Sequence, residues 1–347
     1  MYRRAGLNSI VLLVLMTLVA CSAPAAPAPT ALPAVTPTAA SAARETAGGP
    51  ISVTDGSGAV VTLNQPATRV ACLTSNCIDI LADLGVEPYA VLTADTDAIG
   101  GLPEFFGARM SAFLPIGGSW MEPAIEEVIA AQPDLIIGHP FAHAELRDQL
   151  AGTAPLYLVH SIRSIDDTVR NLKDVAQLLG KNEAAAAAVS KFEAKLADYR
   201  ARSPRTLIAL VIEGSDANIS AKTRESTVGQ LLAEVTLYPW TAPEGTTSES
   251  GDIPYSLERV LSNNPDVLFV ITVSWTGPVD PLSQQFAANP VWAQLKAVQQ
   301  GRVYEVESQI WHNVSGLRTM SLLLDQALGT LYPETFPELP RLQASKS

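Results

Sequence analysis

From about residue 51 onward, short apolar runs alternate with segments of helical periodicity. Residues 51–63 (ISVTDGSGAVVTL) alternate apolar and polar positions around Asp55-Gly56-Ser57-Gly58, a pattern that predicts a β-hairpin. Strands are then expected at 69–73, 89–93, 113–116, 135–137 and 156–159, with helices at 77–84, 125–131 and 165–179. A second block follows the same plan. Its strands are expected at 206–212, 267–273 and 303–306, and its helices at 227–234, 257–263, 290–295 and 317–331. Strands that are apolar throughout and alternate with helices imply parallel sheets covered on both faces. Between the blocks lies NEAAAAAVSKFEAKLADYRAR, residues 182–202, rich in alanine and free of glycine and proline. That composition predicts one long helix, set off by Gly180 before it and Ser203-Pro204 after it.

The two blocks share an internal repeat. Ile125-Glu126-Glu127-Val128-Ile129 precedes Gln132-Pro133-Asp134-Leu135-Ile136-Ile137, and Leu257-Glu258-Arg259-Val260-Leu261 precedes Asn264-Pro265-Asp266-Val267-Leu268-Phe269. Each unit reads as a short helix with an acid in its first turn, a proline that stops it, and a buried strand. The expected architecture is an α/β fold of two Rossmann-like lobes with parallel-rich sheets, joined by one long rigid helix. The boundaries are 50–180 for the first lobe, 181–203 for the helix and 204–340 for the second lobe.

The N-terminus is of a different kind. Arg3 and Arg4 precede the apolar run 10–20, which is short for a bilayer span. Leu18-Val19-Ala20-Cys21 resembles the lipobox of bacterial lipoproteins, which implies a signal peptide over 1–20, acylation of Cys21 and a lipid anchor. Residues 21–49 are almost entirely Ala, Pro, Thr and Ser, the composition of a disordered spacer. Without Arg3 and Arg4 the chain carries 21 basic against 35 acidic residues. That balance argues against nucleic acid as a partner.

In α/β sheets, ligands sit at the carboxyl ends of the strands. That rule selects Trp120, His139, His160, Glu213, Trp275, Trp311 and His312, each just past an expected strand. Tryptophans there either contact a bulky ligand or plug loops onto the sheet. His139 and His143 are four apart, but Pro140 between them argues against a helical metal pair, and no metal site is expected. Cys72 and Cys77 either form a disulfide or pack as small buried hydrophobes. Catalytic signatures are missing: Thr74-Ser75-Asn76 stands where a phosphate loop would, without glycine, and Glu213 with Asp216 is the one obvious carboxylate pair for a hydrolase.

Taken together, Cys21 with its lipobox, the hairpin, Arg69-Val70, the paired Glu-x6-Pro-Asp units, residues 182–202 and the run Asn289-Pro290-Val291-Trp292…Gly301-Arg302-Val303-Tyr304 resemble the helical-backbone class of ABC-transporter substrate-binding proteins. Within that class the chain is most similar to ferric-siderophore and iron(III)-dicitrate binders, with haem and cobalamin binders as close relatives. The resemblance implies a monomer held outside the cytoplasm by its lipid anchor, with no cofactor of its own and no enzyme activity. It implies a bulky iron chelate as ligand and, as partners, an ABC permease with its ATPase in the cytoplasmic membrane. Anionic chelates call for arginine, for which Arg224 and Arg318, and less so Arg163, are the candidates. His139 or His312 would be the axial ligand of a haem. Glu126 and Glu258 match the glutamates that dock such proteins on permease arginines, although an acid in a first helical turn also serves the helix itself. Two features depart from the family: Cys77-Ile78-Asp79 at the start of the first helix, and residues 237–253, which read as a separate loop.

Overall fold

A computed structural model describes residues 49–345 except 216–217, 247, 249–250, 275–278 and 313. The signal, Cys21 and most of the spacer lie outside the described residues. The expected hairpin is present as β1 (Ile51–Thr54) and β2 (Val60–Leu63), paired antiparallel. The Asp55 carboxylate holds its turn, accepting from the N–H groups of Ser57 (2.9 Å) and Ala59 (3.0 Å). It also accepts from Leu158 N–H (3.2 Å) and pairs with Arg147, which fastens the hairpin to the first lobe.

The first sheet contains β3 (Val70–Cys72), β4 (Ala90–Leu92), β5 (Leu114–Ile116), β6 (Leu135–Gly138) and β7 (Leu156–Leu158) in the spatial order β5-β4-β3-β6-β7. All its pairings are parallel, and every residue of β3, β4, β6 and β7 is buried, as apolar strands between helical layers require. Its helices are α1 (Ser75–Leu84), α2 (Thr93–Gly100), α3 (Ile125–Ala131), α4 (Pro140–His143), α5 (Leu146–Leu150) and α6 (Ile165–Leu178). Gly85 ends α1 in the left-handed region (φ 65°), which a residue without Cβ enters freely. Helix α2 escapes a periodicity reading because its sequence, TADTDAIG, has a single large apolar residue and so no apolar stripe.

After α7 (Asn182–Arg202) comes the second sheet: β8 (Ala209–Ser215), β9 (Asn218–Lys222), β10 (Asp252–Tyr255), β11 (Val267–Thr272) and β12 (Val303–Glu305), ordered β10-β9-β8-β11-β12. Strands β8, β11 and β12 pair in parallel, whereas β9 pairs antiparallel with both β8 and β10. Neither β9 nor β10 is legible in the apolar pattern: NISAK is largely polar and DIPY carries Pro254, which is tolerated on an edge strand. Part of the expected 237–253 loop is therefore sheet. The helices of this half are α8 (Thr227–Val235), α9 (Leu257–Asn263), α10 (Leu282–Gln285), α11 (Lys296–Gln299), α12 (Ser308–Trp311) and α13 (Leu317–Leu331). The helix expected at 290–295 is a short 3-10 turn, Trp292–Gln294.

The repeated string has the same physical role in both halves. Gln132 and Asn264 end α3 and α9 with φ of 49° and 41°. Asp134 then accepts from Thr68 N–H (2.8 Å) and Arg69 N–H (2.7 Å) just before β3. Asp266 accepts from Ile208 N–H (2.8 Å) just before β8. Each aspartate ties the entry of one strand to the backbone at the entry of its parallel neighbour.

Both sheets belong to one compact unit. Helix α7 packs on α1 and α6 of the first half and on α8 and α13 of the second. Lys195 pairs with Asp325 of α13 (2.7 Å) and Arg200 with Glu234 of α8 (2.6 Å). A second joint is formed by α1 and α13. Asp79, fully buried in α1, accepts from the backbone N–H groups of Arg318 (3.1 Å) and Thr319 (2.9 Å) and from the Thr319 hydroxyl. It thereby caps the first turn of a helix in the other lobe. Gly316 makes this approach possible, since a Cβ there would lie 2.3 Å from Asp79 Oδ1.

Candidate ligand-binding cleft

A cleft of about 550 Å3 opens between the two lobes. All five carboxyl ends of the first sheet reach it: Thr74–Asn76 after β3, Asp95 after β4, Trp120 after β5, His139 after β6 and Val159–Ile162 after β7. The second lobe contributes Lys222 at the end of β9, Asp252 at the start of β10, the start of α8, and His312, Val314 and Ser315 beyond β12.

The β3–α1 turn is fixed at both ends. Cys72 and Cys77 are joined by a disulfide, with Cα atoms 5.4 Å apart, so of the two readings of this pair the bonded one holds. The turn they bracket presents Thr74, Ser75 and Asn76 to the cleft. Asn76 Nδ2–H donates to the Ser315 carbonyl across the lobes (2.9 Å), and Gln230 Nε2–H donates to the Arg163 carbonyl (2.8 Å).

Trp120 is half-buried and held by an aromatic cluster. Its ring centroid lies 5.5 Å from that of His139 and 6.0 Å from that of Phe141, which stacks on it. Pro140 does not break a helix here: it opens α4, with His139 as the N-cap. His143 Nδ1 accepts from the His139 N–H (2.9 Å), so its Nε2 carries the proton and donates to the Trp120 carbonyl (2.8 Å). With both nitrogens engaged His143 cannot ligate a metal, and no metal-binding cluster occurs among the described residues. His139 Nδ1 accepts from Phe141 N–H (3.2 Å), which leaves the proton on Nε2. Burial, aided by the neighbouring His143, lowers the pKa of His139 to about 4, so it serves the cleft as a neutral donor at pH 7.

On the opposite wall a buried ion network replaces the expected arginine. Lys222 Nζ lies 2.7 Å from Glu213 Oε2 and 2.9 Å from Asp252 Oδ2. His312 Nδ1 lies 2.7 Å from the same Glu213 oxygen. Burial acts to raise the Glu213 pKa, but the hydrogen bond from His312 and the Lys222 charge outweigh it, and the net shift is downward. Asp95 is shifted upward by burial and takes the Ser75 N–H at the start of α1.

Of the sequence candidates, the structure brings Trp120, His139, His160 and His312 into the cleft, with Glu213 behind His312. Trp311 is not there. It is fully buried, stacks 4.6 Å from Phe269 and donates Nε1–H to Gln326 (2.7 Å). Successive helical residues point roughly 100° apart, so His312 faces the cleft while Trp311 faces the core. Arg318 is likewise corrected, since its guanidinium is held by Asp83 (3.1 Å) and the Ala82 carbonyl (2.8 Å) in the α1–α13 joint. Arg224 is exposed and outside the cleft lining, as is Arg163. Trp275 and Asp216 lie outside the described residues. Sequence reasoning missed Asp95, Lys222, Asp252 and Phe141. The retrievable signal was a lysine directly following the Ile219-Ser220-Ala221 run.

A profile of periplasmic binding proteins matches residues 70–310, which include both sheets and all of the cleft lining except His312, Val314 and Ser315. The chain belongs to this family. Among curated proteins it is 26% identical over 289 residues to the ferric-anguibactin-binding protein FatB of Vibrio anguillarum, covering 80% of this chain and 87% of that one. It is 24% identical over 257 residues to the Fe(3+) dicitrate-binding periplasmic protein FecB of Escherichia coli, covering 74% and 82%. Its fold matches that of the iron uptake ABC transporter substrate-binding protein PiuA of Streptococcus pneumoniae with a TM-score of 0.64, at 20% identity and coverage of 79% and 96%. The β9–β10 edge and the Lys222 network are among the parts of this family member that its apolar pattern did not reveal. Glu126 and Glu258 are exposed in the first turns of α3 and α9. The neighbouring Glu127 is occupied, accepting from Gly117 N–H (2.7 Å).

Proposed function

We propose that this binding protein captures a ferric siderophore or similarly bulky iron chelate outside the cytoplasm and delivers it to an ABC permease. The observation that carries this reading is the two-lobed cleft, with Trp120 and neutral polar groups at the strand ends, in a chain of this family. Its volume is in the range of small-molecule ligand sites, and a tryptophan offers a large contact area at low entropy cost. The role is transport, with no catalytic step. Cys21 anchors the protein by lipid, residues 22–49 act as a tether, and Glu126 and Glu258 seat it on the permease as a monomer.

The test is a fluorescence titration of the compact unit that follows Ala47. Trp240, Trp292 and Trp311 are buried in the core, so Trp120 is the described tryptophan placed to report on the cleft. Saturable quenching by a ferric citrate, hydroxamate or catecholate complex supports the proposal. A response to haem or cobalamin alone overturns the iron-chelate assignment while keeping the transport role.

A further inference from the structure

The charges of the cleft narrow the ligand, on the reading that it is an iron chelate. We infer that the cleft is built for a chelate of zero or positive net charge, such as a ferric trihydroxamate, and selects against multiply anionic ferric citrate and tris-catecholate complexes. Between residues 49 and 345, none of the undescribed residues is Lys or Arg. The cations of the folded body therefore all have a known place in that range, and Lys222 is the one that lines the cleft.

Lys222 is already matched. Its side chain is 4% exposed and sits between Glu213 and Asp252. Asp95 adds another carboxylate to the lining. Counting Glu213 behind the wall, three carboxylates face a single ammonium, and His139 is neutral at pH 7. An anion could instead use a helix N-terminus. The starts of α1, α2 and α8 open into the cleft. Those of α1 and α8 already give an N–H to a side chain of the protein: in α1 Asp95, an acid in the first turn of α2, takes the Ser75 N–H, and in α8 Ser226 Oγ takes the Gly229 N–H (3.1 Å). The remaining lining is Trp120, the imidazoles of His160 and His312, which lie against Asp174 and Glu213, the Asn76 amide, aliphatic side chains and hydroxyls, a surface that suits an uncharged ligand and, through the indole face, a cationic one. Three hydroxamates, each losing one proton, neutralise Fe(III). Three catecholates, each losing two, leave a trianion.

The experiment compares four iron complexes by calorimetry and fluorescence on the same unit: a neutral cyclic trihydroxamate, a linear trihydroxamate bearing a free ammonium, ferric citrate and a tris-catecholate. The expected result is that at least one trihydroxamate binds about tenfold or more tighter than either anionic complex, with little dependence on salt. Ser161→Arg, at an exposed position of the lining, should narrow or invert that preference. Tighter binding of citrate or catecholate to the wild type, falling with salt, overturns the charge inference and leaves the iron-chelate reading standing. Binding of none of the four overturns both.

Discussion

The joint between the lobes offers the sharpest test of the structure. Asp79 and Gly316 meet across it, and the two positions should be energetically coupled. In Asp79→Ala, three hydrogen bonds to a carboxylate are lost, a gross loss of about 4–5 kcal/mol at ~1.5 kcal/mol each. Part is returned because the charge is unfavourably buried. Burial first, and the like charge of Asp83 second, push the Asp79 carboxyl up to about 7 despite its donors. A net loss of about 2 kcal/mol is expected. In Gly316→Ala, the new Cβ would stand 2.3, 2.4 and 2.8 Å from Oδ1, Cγ and Cβ of Asp79. Asp79 must shift and its capping bonds stretch, which should destabilise the fold by about 2–3 kcal/mol. In the double variant the Oδ1 and Cγ clashes vanish, so Gly316→Ala should be milder there by about 1–2 kcal/mol. Urea denaturation of the four proteins at constant m-value gives the cycle. Additivity within about 0.4 kcal/mol would refute the contact. The joint also sets a pH dependence. Unfolded Asp79 has an ordinary value of 3.8. Between that value and about 7 the folded state holds the proton more tightly, so this contribution is complete below the lower value and is lost as pH rises through the upper one. Wild-type stability relative to Asp79→Ala should therefore fall between about pH 4 and pH 7.

Three further outcomes are expected. Replacing both Cys72 and Cys77 by alanine, which opens a loop of about six residues, should lower stability by ~2 kcal/mol and abolish the effect of reductant on Tm, whereas an unchanged Tm would contradict the staple. Trp311→Ala should destabilise by about 3–5 kcal/mol while Trp311→Phe keeps chelate affinity, and loss of binding in the phenylalanine variant at full stability would return Trp311 to the ligand site. Glu126→Lys with Glu258→Lys should leave chelate binding unchanged and eliminate stimulation of the reconstituted permease ATPase, so undiminished stimulation would exclude these residues from docking.

Periodicity and composition alone placed the main parallel strands, the helix at Asn182–Arg202 and the repeat, because each depends on local rules: buried strands are apolar throughout, and a long alanine-rich segment prefers helix. The repeat carried more than its letters showed, since Asp134 and Asp266 both tie neighbouring strands together. The strand-end rule located the cleft, because sheet topology places those backbone ends on one edge. Only the tertiary structure decided which side chains turn into it. Trp311 and His312 are neighbours in sequence yet face the core and the cleft, and Arg318 was drawn away by an aspartate 235 residues earlier in the chain. The charge of the site was likewise set by distant pairings, since Lys222 reads as a free cation until Glu213 and Asp252 are seen on either side of it. Local sequence sets where the backbone goes. The electrostatics of the cleft arise between residues far apart in the chain, and packing alone brings them together.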